Sequence, residues 1–354
     1  MRKIYILAAS ALMTFGLASC DIDNVENFGE LSSGNFPASD VDGEATLAGV
    51  YQNLNQTHAT PQQSFLYNAC LASDDQLGGG GDNDKLMQAL DLILNNGADM
   101  TNQFYVDRYA GINRANMLIS ALPNTSMSEE IKAQYLGEAL FLRAFYYYEL
   151  SSMYGNVPLR TAAGGETMQQ GNIEDIWKQI LQDLRDAIEM MPAKKSTSAG
   201  HVDKYTAEAM LGRAWLFYTG FFCNGSSIAD LTSTNYSPLT SVELLDGTTL
   251  TKQDVIAYID DCVNNSGYSL VPDFRNLWAY TNRLTVEDYD YTKGQGLKWV
   301  EDDSADNPES LFAIKFNKFA SWSTTIGYAN GIALHFGVRG GSTDAKFFPF
   351  GYGW

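Results

Sequence analysis

Cys20 is the residue whose chemistry the sequence defines most sharply. It follows Leu17, Ala18 and Ser19, small residues that fit the narrow cleft of a lipoprotein signal peptidase. Its thiol would accept a diacylglyceryl group, and cleavage would leave it as the mature N-terminus. Arg2 and Lys3 form a basic leader end, and residues 4–17 form an apolar run of signal-peptide length. That run is shorter than the roughly 20 apolar residues that span a bilayer. Several acyl chains on one cysteine make a stable anchor where a single chain does not. The alternative is an ordinary signal peptide with a cysteine placed there by chance.

A second set of residues suits recognition without bond-making. Trp278, Tyr280, Tyr289, Tyr291, Trp299 and Trp322 lie in stretches with no helical or strand period. Sugar rings present flat C–H faces that stack on Trp and Tyr, while Asp, Asn and Gln take the hydroxyls. Any one of these rings could equally be core. Phe145, Tyr146, Tyr147, Trp177 and Trp215 sit on helical patterns and read as packing. Asp74 and Asp75 open a glycine-rich loop over residues 73–84. Asp82 and Asp84 in that loop begin like a calcium site but lack its glycine and terminal glutamate. No cofactor is expected, and calcium stays a weak alternative.

Chemistry of other kinds finds no support. The three histidines, His58, His201 and His335, form no His-Glu-x-x-His motif. There is no Gly-x-Ser-x-Gly elbow. Residues 78–81 lack the Gly-Lys-Ser/Thr that would make a phosphate loop. Among 42 acidic residues no spacing singles out a hydrolase pair. A formal net charge of −19 repels phosphate backbones, which argues against nucleic acid as a partner. Beyond Cys20 the cysteines are Cys70, Cys223 and Cys262, too few and too scattered for a disulfide framework or a zinc site. They read as buried apolar thiols, with one oxidised pair still open.

These residues must be positioned by a mostly helical chain. Residues 21–38 are acidic, polar and aperiodic, as a flexible tether would be. From residue 40 a helix is expected with Val41, Ala45, Ala48, Tyr51 and Leu54 as its apolar stripe. Further helices are expected over residues 101–121, 127–154, 172–191, 203–221 and 251–265. Ser126 with Glu129, and Thr251 with Asp254, read as capping pairs. Residues 137–148 and 207–218 align without gaps, sharing Glu138 with Glu208, Arg143 with Arg213, Ala144 with Ala214 and Tyr148 with Tyr218. Their offset of 70 is about two tetratricopeptide repeats of 34 residues. Beyond residue 267 the chain turns aromatic and glycine-rich, and only residues 311–316 read as a strand.

In this order, these segments resemble the SusD-like (RagB/SusD) family of outer-membrane nutrient-binding lipoproteins. Tyr109, Ile112, Ala115 and Asn116 match the family's Tyr-x-x-Ile-x-x-Ala-Asn segment. Residues 138–159 are similar to its alanine- and aromatic-rich helix running into Tyr-Gly-x-Val-Pro-Leu. Residues 180–192, 200–220 and 307–316 match later segments. The resemblance implies a mostly α fold, with tetratricopeptide-like helical repeats plus an irregular region of aromatic loops and short strands. It implies a signal peptide over 1–19, a tether over 20–38 and a SusD-like domain over 39–354. The helical core would run from about 101 to 266 and the irregular, ligand-side region from about 267 to 354. Family members usually run further, so a missing C-terminal part is expected.

The implied function is capture of a nutrient, most often a glycan, at the cell exterior and delivery to a SusC-like TonB-dependent transporter. The outer-membrane lipid anchor would be on Cys20. Asp74, Asp75, Trp278, Tyr280, Trp299 and Trp322 are the candidate ligand residues. A tetratricopeptide-like protein-binding scaffold and a glycoside hydrolase are the competing readings.

Overall fold

Residues 173–190 show how this sequence makes a helix. Asn172 caps the first turn through its side chain on the Glu174 N–H (3.0 Å), and Glu174 and Asp175 sit where the helix dipole favours negative charge. Ile176, Trp177, Ile180, Leu181, Leu184 and Ile188 recur at helical spacing and are all buried. The computed structural model describes residues 36–37, 39–59, 64–73, 101–165, 169–196, 200–224, 232, 236–302, 305–316, 338–339 and 350–351. Cys20, residues 21–35 and 38 of the tether and the 74–100 segment therefore lie outside the described residues.

Among those residues the helices are α1 (Asp40–Ala59), α2 (Phe65–Ala72), α3 (Asn102–Ala121), α4 (Glu129–Tyr154), α5 (Ile173–Met190), α6 (Lys204–Leu216) and α7 (Lys252–Asn265). They pack as a chain of neighbours: α1 on α3, α3 on α4, α4 on α5, α5 on α6 and α6 on α7. This is the mostly helical, repeat-built architecture expected from the sequence. Close approach depends on small residues. A Cβ on Gly137 would lie 2.4 Å from Met191 Cγ, and one on Gly212 would lie 2.7 Å from Ile259 Cδ1. Ala144 and Ala214, the repeat-equivalent alanines, are both wholly buried. The repeat-equivalent tyrosines, Tyr148 and Tyr218, both pack on the Trp177 ring, at 5.5 and 5.9 Å between centroids.

Several sequence expectations need correction. Helix α1 buries Gly43, Leu47, Val50 and Leu54, while Val41 is 72 % exposed and Ala45 and Ala48 face solvent. The docking is set by polar partners: the Tyr146 hydroxyl donates to the Val50 carbonyl (2.7 Å) and Asn53 Nδ2 donates to the Asp107 carbonyl (2.6 Å). Helix α4 is capped by Ser128 rather than Ser126, because Met127 is drawn into the core against Gly43. Residues 311–316 form no strand. Thr206 Oγ1 donates to the Leu311 carbonyl (2.8 Å) and Asn55 Nδ2 to the Lys315 carbonyl (2.8 Å), so helix side chains take the place of a ladder partner.

Strands lie elsewhere. β1 (Ser241–Glu243) pairs antiparallel with β2 (Thr249–Thr251) across an Asp246-Gly247 turn, with Gly247 at φ 82°. β3 (Val338–Arg339) pairs in parallel with β4 (Phe350–Gly351). The Thr251–Asp254 capping box opens α7 as expected. All three described cysteines are free, but only Cys262 is fully buried. Burial raises its thiol to about 11, whereas Cys223 is exposed and Cys70 half-buried. Among the described residues no helix is long and apolar enough to cross a membrane.

Candidate functional site

The segment after α7 is shaped by hydroxyls bonding to backbone carbonyls rather than by a large apolar core. Gly267, at φ 76°, turns the chain out of the helix. The Ser269 N–H donates to the Pro308 carbonyl (3.2 Å) and the Val271 N–H to Glu309 Oε1 (2.5 Å), which pins the entrance. Two short 3₁₀ turns follow, Phe274–Leu277 and Ala279–Thr281. Thr281, Thr285 and Thr292 are buried. Their hydroxyls donate to the carbonyls of Trp278 (2.8 Å), Tyr280 (2.9 Å) and Val286 (2.5 Å) respectively. Asn276 closes the loop by accepting from the Lys298 N–H through its side chain and from the Val300 N–H through its carbonyl. With the backbone satisfied internally, large rings are free to face outward.

Phe274, Trp278 and Tyr291 are 66, 52 and 59 % exposed. Tyr291 stacks on Tyr289 (5.3 Å, 19°) and meets Tyr280 edge-on (5.8 Å, 69°), while Trp278 meets Phe274 edge-on (5.9 Å, 71°). Polar groups border these rings. Arg275 forks onto Asp273 (2.7 and 3.0 Å) and reaches Gln295 Oε1, and Gln295 donates in turn to the Tyr291 carbonyl (2.8 Å). The Arg275 hydrogen bonds hold the Asp273 carboxyl below its ordinary range. Flat faces bordered by a guanidinium, a carboxylate and an amide suit hydroxyl-rich rings.

Of the residues named from sequence, Trp278, Tyr280, Tyr289 and Tyr291 fall in this region. Trp299 is half-buried, and its backbone N–H donates to the Thr281 carbonyl (3.1 Å). Asp74, Asp75 and Trp322, and the Asp82–Asp84 calcium alternative, lie outside the described residues. Phe274, Arg275 and Gln295 were not singled out by sequence. The one available signal was Phe274 four residues before Trp278.

The most recognisable sequence motifs prove to be structural. The Tyr109 hydroxyl donates to the Pro158 carbonyl (2.6 Å). Asn116 Nδ2 donates to the carbonyls of Arg160 (3.2 Å) and Ala162 (3.1 Å), and Tyr147 bonds both the N–H and the carbonyl of Arg160. Arg143 forks onto Asp183 (2.8 and 2.6 Å) and also donates to Asn116 Oδ1 (2.8 Å). Together they clamp the 157–162 segment against α3 and α4.

Recesses also lie among the described residues. One of about 290 Å³ lies between α1, Gly200–His201 and the 313–315 segment. Behind it the buried Glu138 carboxylate accepts from Gln134 (2.8 Å) and Tyr51, and His201 Nδ1 lies 3.2 Å away. That contact raises the His201 imidazole above its ordinary value, against the opposing effect of partial burial. Among the described residues no carboxylate lines the recess itself. Another recess, about 420 Å³, is lined by Arg213 and aromatic rings. Among the described residues no group of three or more His, Cys, Asp or Glu side chains could hold a metal ion.

Comparison with known proteins bears on these geometries. A SusD-like family model, described as starch-binding and associating with the outer membrane, matches residues 28–216. The chain is 24 % identical over 255 residues to SusD-like protein P38 of Formosa agariphila, covering 68 % of this chain and 48 % of that one. It is likewise 24 % identical over 222 residues to SusD-like protein P2 of the same organism, covering 61 % and 43 %. The chain thus spans about half the length of the curated relatives it matches. Among solved structures, a laminarin-binding SusD-like protein superposes with a TM-score of 0.51 at 26 % identity, over 70 % of this chain and 49 % of that one. The B. fragilis protein NanU superposes at 0.58 with 20 % identity, over 82 % and 51 %, which speaks to the fold alone.

Proposed function

Because the chain belongs to the SusD-like family, described as starch-binding and associating with the outer membrane, we propose that it captures a glycan at the cell surface and hands it to a SusC-like TonB-dependent transporter. The observation that carries the reading is two neighbouring ring groups, exposed Trp278 against Phe274 and exposed Tyr291 against half-buried Tyr280, linked in sequence and by the Arg275–Gln295 hydrogen bond. They offer stacking faces and hydrogen-bonding groups for a neutral sugar chain. Binding without chemistry is the proposed role. The laminarin-binding relative makes a β-glucan the first ligand to try.

Lipid on Cys20 would hold the protein on the outer membrane, facing outward. A tether over residues 21–38 would reach about 20–25 Å, at roughly 5–6 Å times the square root of its length. That reach permits hinged motion over a barrel while keeping the two partners at high effective concentration. Asp74 and Asp75, in a part of the chain where the resemblance implies ligand loops, and Trp322, a large ring in aperiodic sequence, remain proposed ligand residues.

The test is isothermal titration of the folded chain with laminarin and with soluble starch, repeated on a Trp278→Ala, Tyr291→Ala double variant. Saturable binding that the double variant loses supports the reading. Equal binding by both proteins removes the ring cluster from the site.

A further inference from the structure

Helix α6 does not end cleanly. It runs into a π-turn over Phe217–Phe221, a wider coil in which side chains four apart fall nearly into register. Phe217 and Phe221 accordingly stack at 5.2 Å with their planes 6° apart. Such turns recur at functional sites. Here the turn forms one wall of the 420 Å³ recess, with Tyr148 beside it and Tyr236 across it. Gly220 permits that narrow span, since a Cβ there would lie 3.0 Å from the Tyr236 hydroxyl. The volume falls in the range of about 300–1,000 Å³ typical of small-ligand pockets.

Arg213 stands at the rim of the recess. Its repeat equivalent, Arg143, is neutralised by the Asp183 fork. Arg213 has no carboxylate partner among the described residues; its guanidinium lies 5.5 Å over the Tyr148 ring. A guanidinium presents a planar N–H fork that matches a carboxylate. The nearby Glu149 carboxylate feels the Arg213 charge but is buried and hydrogen-bonded to Arg108 Nε (2.6 Å), and it makes no direct ion pair with Arg213.

We propose that this recess binds a carboxylate-bearing sugar residue, with the acid on the Arg213 fork and the ring against Phe217, Phe221 and Tyr236. The proposal rests on the glycan-binding reading for the choice of a sugar; the geometry that calls for an anion beside apolar faces is independent of it. The recess is built from α4, α6 and the turn after α6, and shares no residue with the ring cluster at Trp278.

The experiment titrates the whole chain with glucuronate and, separately, with glucose, at about 0.05 and 0.5 M salt. Glucuronate should bind roughly tenfold more tightly than glucose, and the preference should shrink at high salt. Arg213→Gln should erase the preference. Leu216→Glu, at a position 73 % exposed and so tolerant of change, should erase it as well by placing a negative charge on the rim. Thermal melts establish that both variants are folded, and if Arg213→Gln is not, Leu216→Glu decides alone. Equal binding of the two sugars, or an unchanged preference in the folded variants, overturns the proposal. So does binding of a short oligoglutamate peptide in place of glucuronate, which would make the recess a protein contact. Laminarin binding lost through Trp278→Ala, or absent altogether, reports on the other site and leaves this result standing.

Discussion

Trp278 and His201 carry two different predictions at the scale of single residues. Trp278 is half exposed in a loop whose shape does not depend on it. Trp278→Ala should therefore weaken glycan binding by roughly 1–3 kcal/mol, by analogy with bases stacked on aromatic side chains. The melting temperature should stay within about a degree or two of wild type, as for surface changes worth under about 0.5 kcal/mol. A large fall in melting temperature would mean that the ring holds the loop instead. His201 is raised above 6.5 by its hydrogen bond to Glu138, and burial raises the Glu208 carboxyl from 4.5 to about 7. Both groups hold protons more tightly in the folded chain than in the unfolded one. Their stabilising contributions are complete below the unfolded values and fade as pH rises through the folded ones. Stability should thus decline between about pH 5 and 8, and His201→Gln with Glu208→Gln should flatten that slope in melts taken across the range. A slope unchanged in the double variant would exclude both groups. The site was only half legible in the sequence at this scale. Aromatic residues in aperiodic stretches pointed to Trp278, Tyr280, Tyr289 and Tyr291, but nothing local marked Arg275 or Gln295. Their meeting depends on buried threonine hydroxyls and on Asn276 joining positions more than 20 apart.

The helices are legible for the opposite reason: each needs only its own period and caps. Where the sequence misled, a long-range polar contact had replaced a local rule, as with Tyr146 choosing the buried face of α1 and Thr206 and Asn55 occupying the backbone of residues 311–316. The hairpin between β1 and β2 has a local signal in Asp246-Gly247, a dipeptide suited to a tight turn. Two predictions belong to the helix contacts. Ala144→Leu and Ala214→Leu insert bulk where the side chain has no free surface, and each should cost about 1–3 kcal/mol. Unchanged melts for both would argue against close helix contacts there. Asp183→Asn strands the buried Arg143 guanidinium that clamps α4 to α5 and steadies Asn116. A loss of about 3–5 kcal/mol is expected in urea unfolding. A loss under about 1 kcal/mol would place that ion pair in the class of exposed pairs.

On the scale of the whole molecule, attachment and recognition should separate cleanly. Cys20→Ala should release the protein from the membrane fraction and leave glycan affinity unchanged, because the proposed anchor and the ring cluster belong to different parts of the chain. Labelled fatty acid incorporated equally into the variant would sink the lipid assignment. The ring cluster has a broader implication through the way it is built. Thr281, Thr285, Thr292 and Asn276 fix the course of the backbone, and the rings that face outward contribute little to it. Contour and chemistry are then inherited separately: a lineage could exchange tryptophan for tyrosine, arginine or glycine at the outward positions and keep the same loop. Such a surface is readily retargeted. Libraries randomised at residues 274, 278, 280 and 291 should yield a high proportion of folded clones, and the buried threonines should be the positions where diversity is lethal.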